Sequence, residues 1–460
     1  MIKLNVGEIA AIVAGEVHGT HAQDAVLNVV VDSREVSAGA MYVAIPGERV
    51  DGHDFAESAI AAGAAVVLSE RVLSVPCIVV ENSVVAMGML AQHVRQQLTN
   101  CVVIAITASS GKTSTKDLLA SVLQSLGTTV APQGSLNTEV GVPLTIFRAD
   151  ESTRFLILEM GMRGLGHIEL LCQIATPQIG VLLNVGSAHL GLLGSRSEVA
   201  RAKGELIASL PATGVAIVNG DDALVREQSS RTAARVVYFG RSDACDVRAQ
   251  AVQLDDQARA SFALLMDDHR VEVSLKILGE HFVDNALAVA AVAYGLGMPI
   301  EQIAERLSAA VISSRWRMEV TVTTEDVTIV NDAYNANPES MAAALRTLSA
   351  MGTDRRRWAV LGEMLELGDR SHAEHALVGK LAAAAQVSRL LCIGPATKVT
   401  LDEAKAEVNW LGQADWVPDV PAAIALLSAE VRPTDIVLIK ASRGIGLERL
   451  ATALGERDSQ

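Results

Sequence analysis

The stretch CVVIAITASSGKT, residues 101–113, joins an apolar run to a glycine-bearing loop and indicates the fold class. Residues 101–107 form an apolar run of strand length, and a helical pattern over residues 113–126 follows the loop. Amide groups at the start of a helix bind phosphate, and the positive end of the helix dipole adds to that attraction. A strand, a GKT loop and an amphipathic helix in this order predict a phosphate-binding loop, with an ordinary glycine-bearing turn as the alternative.

The side chains of this loop have separate predicted roles. Lys112 is expected to reach the β- and γ-phosphates of ATP, and the hydroxyl of Thr113 is expected to bind Mg²⁺. The common GxxxxGKT pattern would place glycine at Ile106, and residue 108 is alanine. Because alanine tolerates positive φ poorly, either φ at Ala108 is negative or nucleotide binding is weakened. We assign ATP binding to the whole loop: Thr107, Ala108, Ser109, Ser110, Gly111, Lys112, Thr113 and Ser114.

Short apolar strands alternate with helices on both sides of the loop, which predicts an α/β fold. A chain of 460 residues is long enough for about three domains. We predict a small mixed α/β domain over residues 1–98, a central doubly wound P-loop domain over residues 99–313, and a Rossmann-like α/β domain over residues 314–460. Residues 251–266 and 270–277 are expected to form an antiparallel appendage. Strands of the last domain are expected at residues 327–330, 358–361, 390–393 and 436–439.

Composition excludes several classes of protein. The formal charge of −15 argues against binding to nucleic acid, whose phosphate backbone it would repel. The five cysteines are far apart and form no CxxC pair, which indicates reduced, mostly buried thiols. The sequence has no secretory signal, and its apolar runs are too short to span a bilayer. We therefore expect a cytoplasmic protein that is not embedded in a membrane.

Two residues downstream of the loop are candidate metal ligands. Glu159 ends the apolar strand FLILE, and His189 lies just beyond the strand pattern IGVLLNVG. The carboxyl ends of parallel strands meet at one edge of a sheet, where ligands bind, so both side chains are expected near the phosphate loop. A solvated glutamate and a histidine that binds only backbone are the alternatives. Lys203, in the helical pattern ARAKGELI, is by default a surface lysine.

Together with these residues, motifs along the whole chain resemble the Mur ligases of bacterial cell-wall synthesis. The resemblance runs from Asp32 to about Arg449 and rests on these motifs: DSR at 32–34, IPG at 45–47, DGHDF at 51–55, SLNTEVGVP at 135–143, GEH at 279–281, DAYNANPES at 332–340, LGEMLELG at 361–368 and KASR at 440–443. The chain is most similar to the branch that adds D-alanyl-D-alanine to UDP-N-acetylmuramoyl-tripeptide. The DNPR-like motif of the ligases that add meso-diaminopimelate is absent.

The resemblance implies roles for residues in all three predicted domains. It implies a catalytic set that consists of Lys112, Glu159, His189 and Lys203. It implies two Mg²⁺ ions held by Thr113, Glu159, His189 and Lys203, with Lys203 carbamylated so that it carries a negative charge. Further ATP contacts are implied for His281, Asn285, Arg317 and Asp332. Substrate binding is implied for Ser33, Arg34, Asn137, Thr138, Asn335, Asn337, Lys440, Ser442 and Arg443.

The activity implied by the resemblance is that of an ATP-dependent, ADP-forming amide ligase. The tripeptide carboxylate of UDP-MurNAc-tripeptide would attack the γ-phosphate of ATP, and the amine of D-Ala-D-Ala would attack the resulting acyl-phosphate. We expect a monomer whose last domain closes over the site. The alternatives are a Mur ligase that adds a single amino acid, a folylpolyglutamate synthetase, which the N-terminal motifs disfavour, and a nucleotide-binding regulator that no longer catalyses.

Overall fold

The computed structural model describes residues 1–47, 49–186, 193–352 and 354–456. Its strands form three main sheets, one in each of the three predicted regions, with helices packed against them. The predicted α/β fold class is confirmed. The boundaries after residues 98 and 313 stay a prediction. None of the helices in the described ranges is long and apolar enough to cross a lipid bilayer.

The first region contains a sheet in the order β2-β7-β6-β5-β4 and a small β1-β3 pair. Strands β4 to β7 are parallel, and β2 is an antiparallel edge strand. The strands are β1 Leu4–Asn5, β2 Glu16–His18, β3 Ala25–Val26, β4 Asn28–Val30, β5 Ala40–Val43, β6 Val66–Ser69 and β7 Cys77–Val79. The helices are α1 Val6–Ile12, α2 Ala56–Ala61 and α3 Ser83–Gln97.

The second region forms a sheet in the order β16-β15-β14-β13-β12-β11-β8-β10-β9. Its strands are β8 Val102–Thr107, β9 Thr129–Val130, β10 Phe155–Glu159, β11 Ile179–Leu182, β12 Val215–Asn219, β13 Arg235–Gly240, β14 Val247–Leu254, β15 Arg259–Met266 and β16 His269–Leu278. Its helices are α4 Lys112–Leu123, α5 Gly141–Ile146, α6 His167–Ala175, α7 Arg196–Lys203, α8 Glu205–Ala208, α9 Ala223–Gln228, α10 Phe282–Gly295 and α11 Ile300–Ala309.

The antiparallel strands predicted after residue 250 are present as β14, β15 and β16. They extend the central sheet because β14 pairs in parallel with β13, through Phe239 and Val247, before β15 and β16 continue antiparallel. That pairing joins the antiparallel strands to the parallel part of the sheet, so one core serves both.

Strand β8 shows why the central sheet is covered on both faces. Ile104 and Ile106 pack in one apolar cluster with residues of α4 and α10, whereas Val103 and Ala105 pack in another with residues of α3, α6 and α8. Successive side chains of a strand point to opposite faces, so a strand that is apolar throughout needs helices on both sides. This doubly wound arrangement places the carboxyl ends of β8, β10 and β11 at one edge.

The third region forms a sheet in the order β17-β18-β22-β19-β20-β21, with β17 as an antiparallel edge strand. The strands are β17 Glu319–Val322, β18 Thr328–Asn331, β19 Arg357–Leu361, β20 Arg389–Ile393, β21 Gln413–Val417 and β22 Ile436–Lys440. The helices are α12 Pro338–Ala350, α13 Ser371–Ala384, α14 Lys398–Ala406, α15 Val420–Glu430 and α16 Glu448–Glu456. Residues of α10 and α12 share one apolar cluster, so the second and third regions meet through a buried face.

Candidate active site

A cavity of about 590 Å³ lies between the second and third regions. It is lined by the start of α4, the residues that follow β10 and β11, the start of α10, and the loops that follow β18 and β22. The carboxyl ends of parallel strands therefore border it on both sides, which is where open α/β sheets bind their ligands.

The phosphate loop leads into α4 through Gly111, whose φ is +85°. A Cβ at this position would also lie only 2.9 Å from Oδ1 of Asn285, so glycine is required twice over. Ala108 is not among the described non-glycine residues with positive φ, so the first of the two alternatives for this residue holds. Its carbonyl oxygen accepts hydrogen bonds from Nζ of Lys112 at 2.8 Å and from Nζ of Lys203 at 3.0 Å.

Not every loop residue predicted to bind ATP faces the cavity. The segment from Ser109 to Ser114 lines it, whereas Thr107 and Ala108 do not. The Thr107 side chain is buried at the end of β8 and donates a hydrogen bond to the carbonyl oxygen of Met160 at 2.9 Å. The side chain of Thr107 therefore joins neighbouring strands, and Ala108 contributes a carbonyl oxygen to the lysines.

Glu159 is 1% exposed and accepts hydrogen bonds at both carboxylate oxygens. Oε2 accepts from the Thr113 hydroxyl at 2.7 Å, and Oε1 accepts from Oγ of Ser135 at 2.9 Å and from Nδ2 of Asn137 at 2.8 Å. The Thr113 hydroxyl in turn accepts from Nη2 of Arg317 at 2.8 Å. Thus oxygen ligands from the phosphate loop and the end of β10 lie together, and an arginine from the third region reaches the same point.

Lys203 is a buried residue, so the default interpretation as a surface lysine is wrong. It is 1% exposed at the end of α7, and the fold points its amine at the phosphate loop. Burial, and to a smaller degree the charge of Lys112, lower the pKa of Lys203 well below its usual range. Burial also lowers the pKa of Lys112, which the carboxylate of Glu159 partly offsets. His189, the remaining member of the predicted metal set, lies outside the described residues.

The phosphate loop meets the start of α10 where Gly111 approaches Asn285. Asn285 is buried and His281 lies beside it on the cavity wall. Burial lowers the pKa of His281 to about 4, against the opposing effect of the Asp332 carboxylate. Asp332 forms an ion pair with Nζ of Lys440 at 2.6 Å, and that ammonium group also donates to the carbonyl oxygen of Asn335 at 2.9 Å. Lys440 therefore stabilises the 332–335 loop through one ion pair and one hydrogen bond.

The chain is similar to known proteins along its whole length. Three Mur ligase models match the chain: the family's catalytic domain at residues 26–101, the middle domain at 106–293 and the glutamate ligase domain at 316–443. The chain is 45% identical to the UDP-N-acetylmuramoyl-tripeptide--D-alanyl-D-alanine ligase of Mycobacterium tuberculosis (strain ATCC 25618 / H37Rv), over 100% of this chain and 99% of that protein. The chain belongs to the Mur ligase family.

Other relatives are similar along nearly the whole of this Mur ligase. The Escherichia coli (strain K12) UDP-N-acetylmuramoyl-tripeptide--D-alanyl-D-alanine ligase is 33% identical over 99% of each chain. Among solved structures, MurF from Acinetobacter baumannii has a TM-score of 0.89 and 30% identity over 99% of each chain. MurF from Thermotoga maritima in complex with ADP has a TM-score of 0.80 and 29% identity, covering 94% of this chain and 98% of that one.

The predicted substrate-binding residues fall into two groups in this Mur ligase. Most of them line the cavity: Asn137, Thr138, Asn335, Asn337, Lys440, Ser442 and Arg443. Asn337 also caps α12 and donates to the carbonyl oxygen of Ser109 at 3.5 Å, which joins the two sides of the cavity. Ser33 and Arg34 are not among the cavity-lining residues, and the 87% exposed Arg34 side chain pairs with Asp32.

Several residues of the cavity were not predicted from the sequence. Asn184 binds the phosphate loop: its Oδ1 accepts from the Ser110 amide at 3.0 Å and its Nδ2 donates to the Ser110 carbonyl oxygen at 3.0 Å. The signal was available, because Asn184 follows the apolar run of β11 at the sheet edge. Arg163 also lines the cavity without any local pattern that would have identified it, and Tyr334 lies there within the DAYNANPES motif, which gives it no separate role.

Proposed function

We propose that this Mur ligase joins the tripeptide carboxylate of UDP-N-acetylmuramoyl-tripeptide to the amine of D-alanyl-D-alanine, with hydrolysis of ATP to ADP and phosphate. The observation that carries the proposal is one cavity in which the phosphate loop, Glu159 and the arginine from the third region converge. The chain is 45% and 33% identical, along nearly its whole length, to two UDP-N-acetylmuramoyl-tripeptide--D-alanyl-D-alanine ligases. This similarity supports these substrates over those of other Mur ligases.

In the first step, the amides at the start of α4 hold the phosphates of ATP, assisted by the helix dipole. A carboxylate oxygen of the tripeptide forms a bond to the γ-phosphorus as the bond to the β-phosphate bridging oxygen breaks, which yields the acyl-phosphate and ADP. Arg317 donates a hydrogen bond to Thr113, and the charge of Lys112 interacts with that of Glu159. The two cations offset the negative charge that spreads over the transferred phosphoryl group.

The residues at the phosphate loop fit a magnesium ion. Mg²⁺ prefers oxygen ligands and is commonly held by one or two carboxylates together with substrate phosphates. Thr113 and Glu159 supply a hydroxyl and a carboxylate at 2.7 Å from each other, so they would hold the ion, which supplies neutralisation of phosphate charge. No group of three or more acidic, histidine or cysteine side chains is gathered as a metal site in the described ranges. The second ion proposed at His189 and Lys203 rests on the family resemblance.

The buried position of Lys203 supports the proposal that its amine is carbamylated. A neutral amine bonds to the carbon of CO2 and loses a proton, and burial favours the neutral form of this lysine. The carbamate would place a negative charge beside the phosphate loop, where the Lys203 amine donates to the carbonyl oxygen of Ala108.

Replacement of Lys203 tests this role. The Lys203→Ala variant should lose at least ~100-fold in phosphate release, on the scale of a lost transition-state contact, and added acetate should restore part of the activity by supplying the missing carboxylate. Lys203→Arg, which keeps a long basic side chain and cannot form a carbamate, should be inactive and should not respond to acetate. A fully active arginine variant would contradict the proposal.

In the second step, the D-alanyl-D-alanine amine attacks the acyl carbon, the bond to the phosphate oxygen breaks, and the amine loses a proton. We assign the dipeptide to the part of the cavity that is lined by the loop at Ser442 and Arg443 and by the apolar side chains of Leu365 and Leu367. Water competes for an acyl-phosphate, so the packed face between the second and third regions serves to exclude it. We further propose that the protein is a monomer. We also propose that it is cytoplasmic, in keeping with its buried free cysteines.

The decisive experiment combines the purified protein with ATP, UDP-N-acetylmuramoyl-tripeptide and D-alanyl-D-alanine. Phosphate release that requires both substrates, with a product of pentapeptide mass, supports the proposal. Release with a single free amino acid would instead indicate a MurE-type enzyme, and no release would indicate a regulator.

Lys112→Ala should lower the rate of phosphate release by at least ~100-fold because a transition-state contact is lost. The exposed Lys276→Ala is the matched control and should keep the wild-type rate. Equal rates in both variants would refute the assignment of Lys112.

A further inference from the structure

The ring of Tyr334 contacts two guanidinium groups that come from different loops. Cζ of Arg317 lies 4.1 Å from the ring centroid, and Cζ of Arg443 lies 5.1 Å from it. Both distances are within the range of an attractive cation–π contact. Arg443 also lies over the ring of Trp316, with Cζ 5.2 Å from its centroid. Two arginines and two aromatic rings therefore form one cluster, of which Arg317, Tyr334 and Arg443 line the cavity.

The backbone on both sides of Arg317 is held in an uncommon conformation. Trp316 has a φ of +61° and Met318 a φ of +52°, and non-glycine residues adopt this region only where their surroundings impose it. The Trp316 carbonyl oxygen accepts from the amide of Tyr334 at 3.1 Å, and the amide of Met318 donates to Oδ1 of Asp332 at 3.1 Å. The 332–334 segment therefore shapes the turn that presents Arg317.

The two arginines lie next to different loops of the cavity. Nη2 of Arg317 donates to the hydroxyl of Thr113 in the phosphate loop at 2.8 Å. Arg443 follows β22, next to Ser442, whose Oγ accepts from the amide of Leu365 at 2.9 Å. Nε of Arg317 is buried and has no hydrogen-bond partner in the described ranges, so the Tyr334 ring is a main support of that side chain.

We propose that Tyr334 is a positioning residue that couples the nucleotide end of the cavity to the end that receives the incoming amine. The placement of each guanidinium group depends on the same ring, so a ligand that orders Arg443 also favours the position of Arg317 at the phosphate loop. Such coupling is reciprocal: the dipeptide raises the affinity for ATP by the factor by which ATP raises the affinity for the dipeptide. The assignment of the second end rests on the proposed function.

The test compares Tyr334→Leu with Tyr334→Phe. Phenylalanine keeps the ring and should retain wild-type KM values within about 2-fold, since the cation–π contact needs no hydroxyl. Leucine removes the ring and should raise KM for both ATP and D-alanyl-D-alanine by about 5- to 30-fold, the scale of two lost cation–π contacts. Tyr334→Met, whose long unbranched side chain also lacks the ring, provides the same comparison if the leucine variant does not fold.

Calorimetry with a non-hydrolysable ATP analogue gives a readout that does not need turnover. D-alanyl-D-alanine should raise the affinity for the analogue in the wild type and in Tyr334→Phe, and this enhancement should vanish in Tyr334→Leu. The inference is overturned if the leucine variant keeps the enhancement, or if it loses kcat alone with both KM values unchanged, as a structural role would predict.

Failure of the proposed function gives a different result. In that case the wild type does not turn over D-alanyl-D-alanine at all, while the affinity for the analogue alone still falls in Tyr334→Leu because Arg317 has lost its support.

Discussion

Replacing Asp117 with alanine should destabilise the protein at the point where the third region joins the phosphate-loop helix. Asp117 and Lys116 lie in α4, with side chains 2% and 3% exposed, and Nζ of Lys116 lies 2.5 Å from Oδ1 of Asp117. The Asp117 carboxylate also accepts from Oγ of Ser313 at 3.0 Å and from the amide of Ser314 at 2.9 Å. One buried pair thus anchors the linker that leads to Arg317.

The magnitude follows from what each variant leaves behind. Asp117→Ala leaves the Lys116 ammonium buried without its counter-charge, which costs about 3–5 kcal/mol. Ser313→Ala removes one hydrogen bond to the carboxylate and should cost about 1 kcal/mol. Changing both members of the pair, Lys116→Met with Asp117→Leu, leaves no buried charge and should be less destabilising than Asp117→Ala by about 2 kcal/mol or more.

Hydrogen–deuterium exchange of peptides that cover residues 112–123 and 313–317 measures these effects. The free energy of local opening should fall in Asp117→Ala and recover in the double variant. The KM for ATP should rise more in Asp117→Ala than in the double variant, because the linker carries Arg317. The reasoning is wrong if Asp117→Ala opens as rarely as the wild type, or if the double variant is as unstable as the single one.

Two further predictions concern the nucleotide site. Gly111→Ala should abolish ATP binding measured by calorimetry, because the new Cβ is strained at φ +85° and lies 2.9 Å from Asn285, whereas Gly297→Ala, at φ +87° with open space around it, should bind ATP normally. Burial lowers the pKa of His281 from 6.5 to about 4, so the folded state favours the neutral imidazole. The contribution of His281 to the free energy of unfolding should therefore be fully present above pH 6.5. At pH 5 the free energy of unfolding, measured in urea, should be lower by about 2 kcal/mol. His281→Gln should remove that part of the pH dependence, and an unchanged slope would contradict the assignment.

The elements that could be predicted from the sequence are those with a local signal. A strand, a GKT loop and an amphipathic helix are encoded within consecutive residues, and the structure has them at β8 and α4. The position of Glu159 near the phosphate loop could also be predicted, because a polar residue that ends an apolar parallel strand lies at the edge of the sheet. Strands β17 and β21 were missed since their sequences, EVTV and QADWV, lack a continuous apolar run and lie at the edges of the sheet.

The distant residues that share one environment could be identified only in the folded chain. Lys203 sits in a charged stretch that is typical of a helix surface, yet it is buried against the carbonyl oxygen of Ala108. Nothing near Asp332 in the sequence indicates that Lys440 neutralises it, or that Tyr334 contacts both Arg317 and Arg443. The physical reason is that periodicity encodes which face of an element is apolar, whereas burial, pKa and ion pairing depend on which faces finally meet.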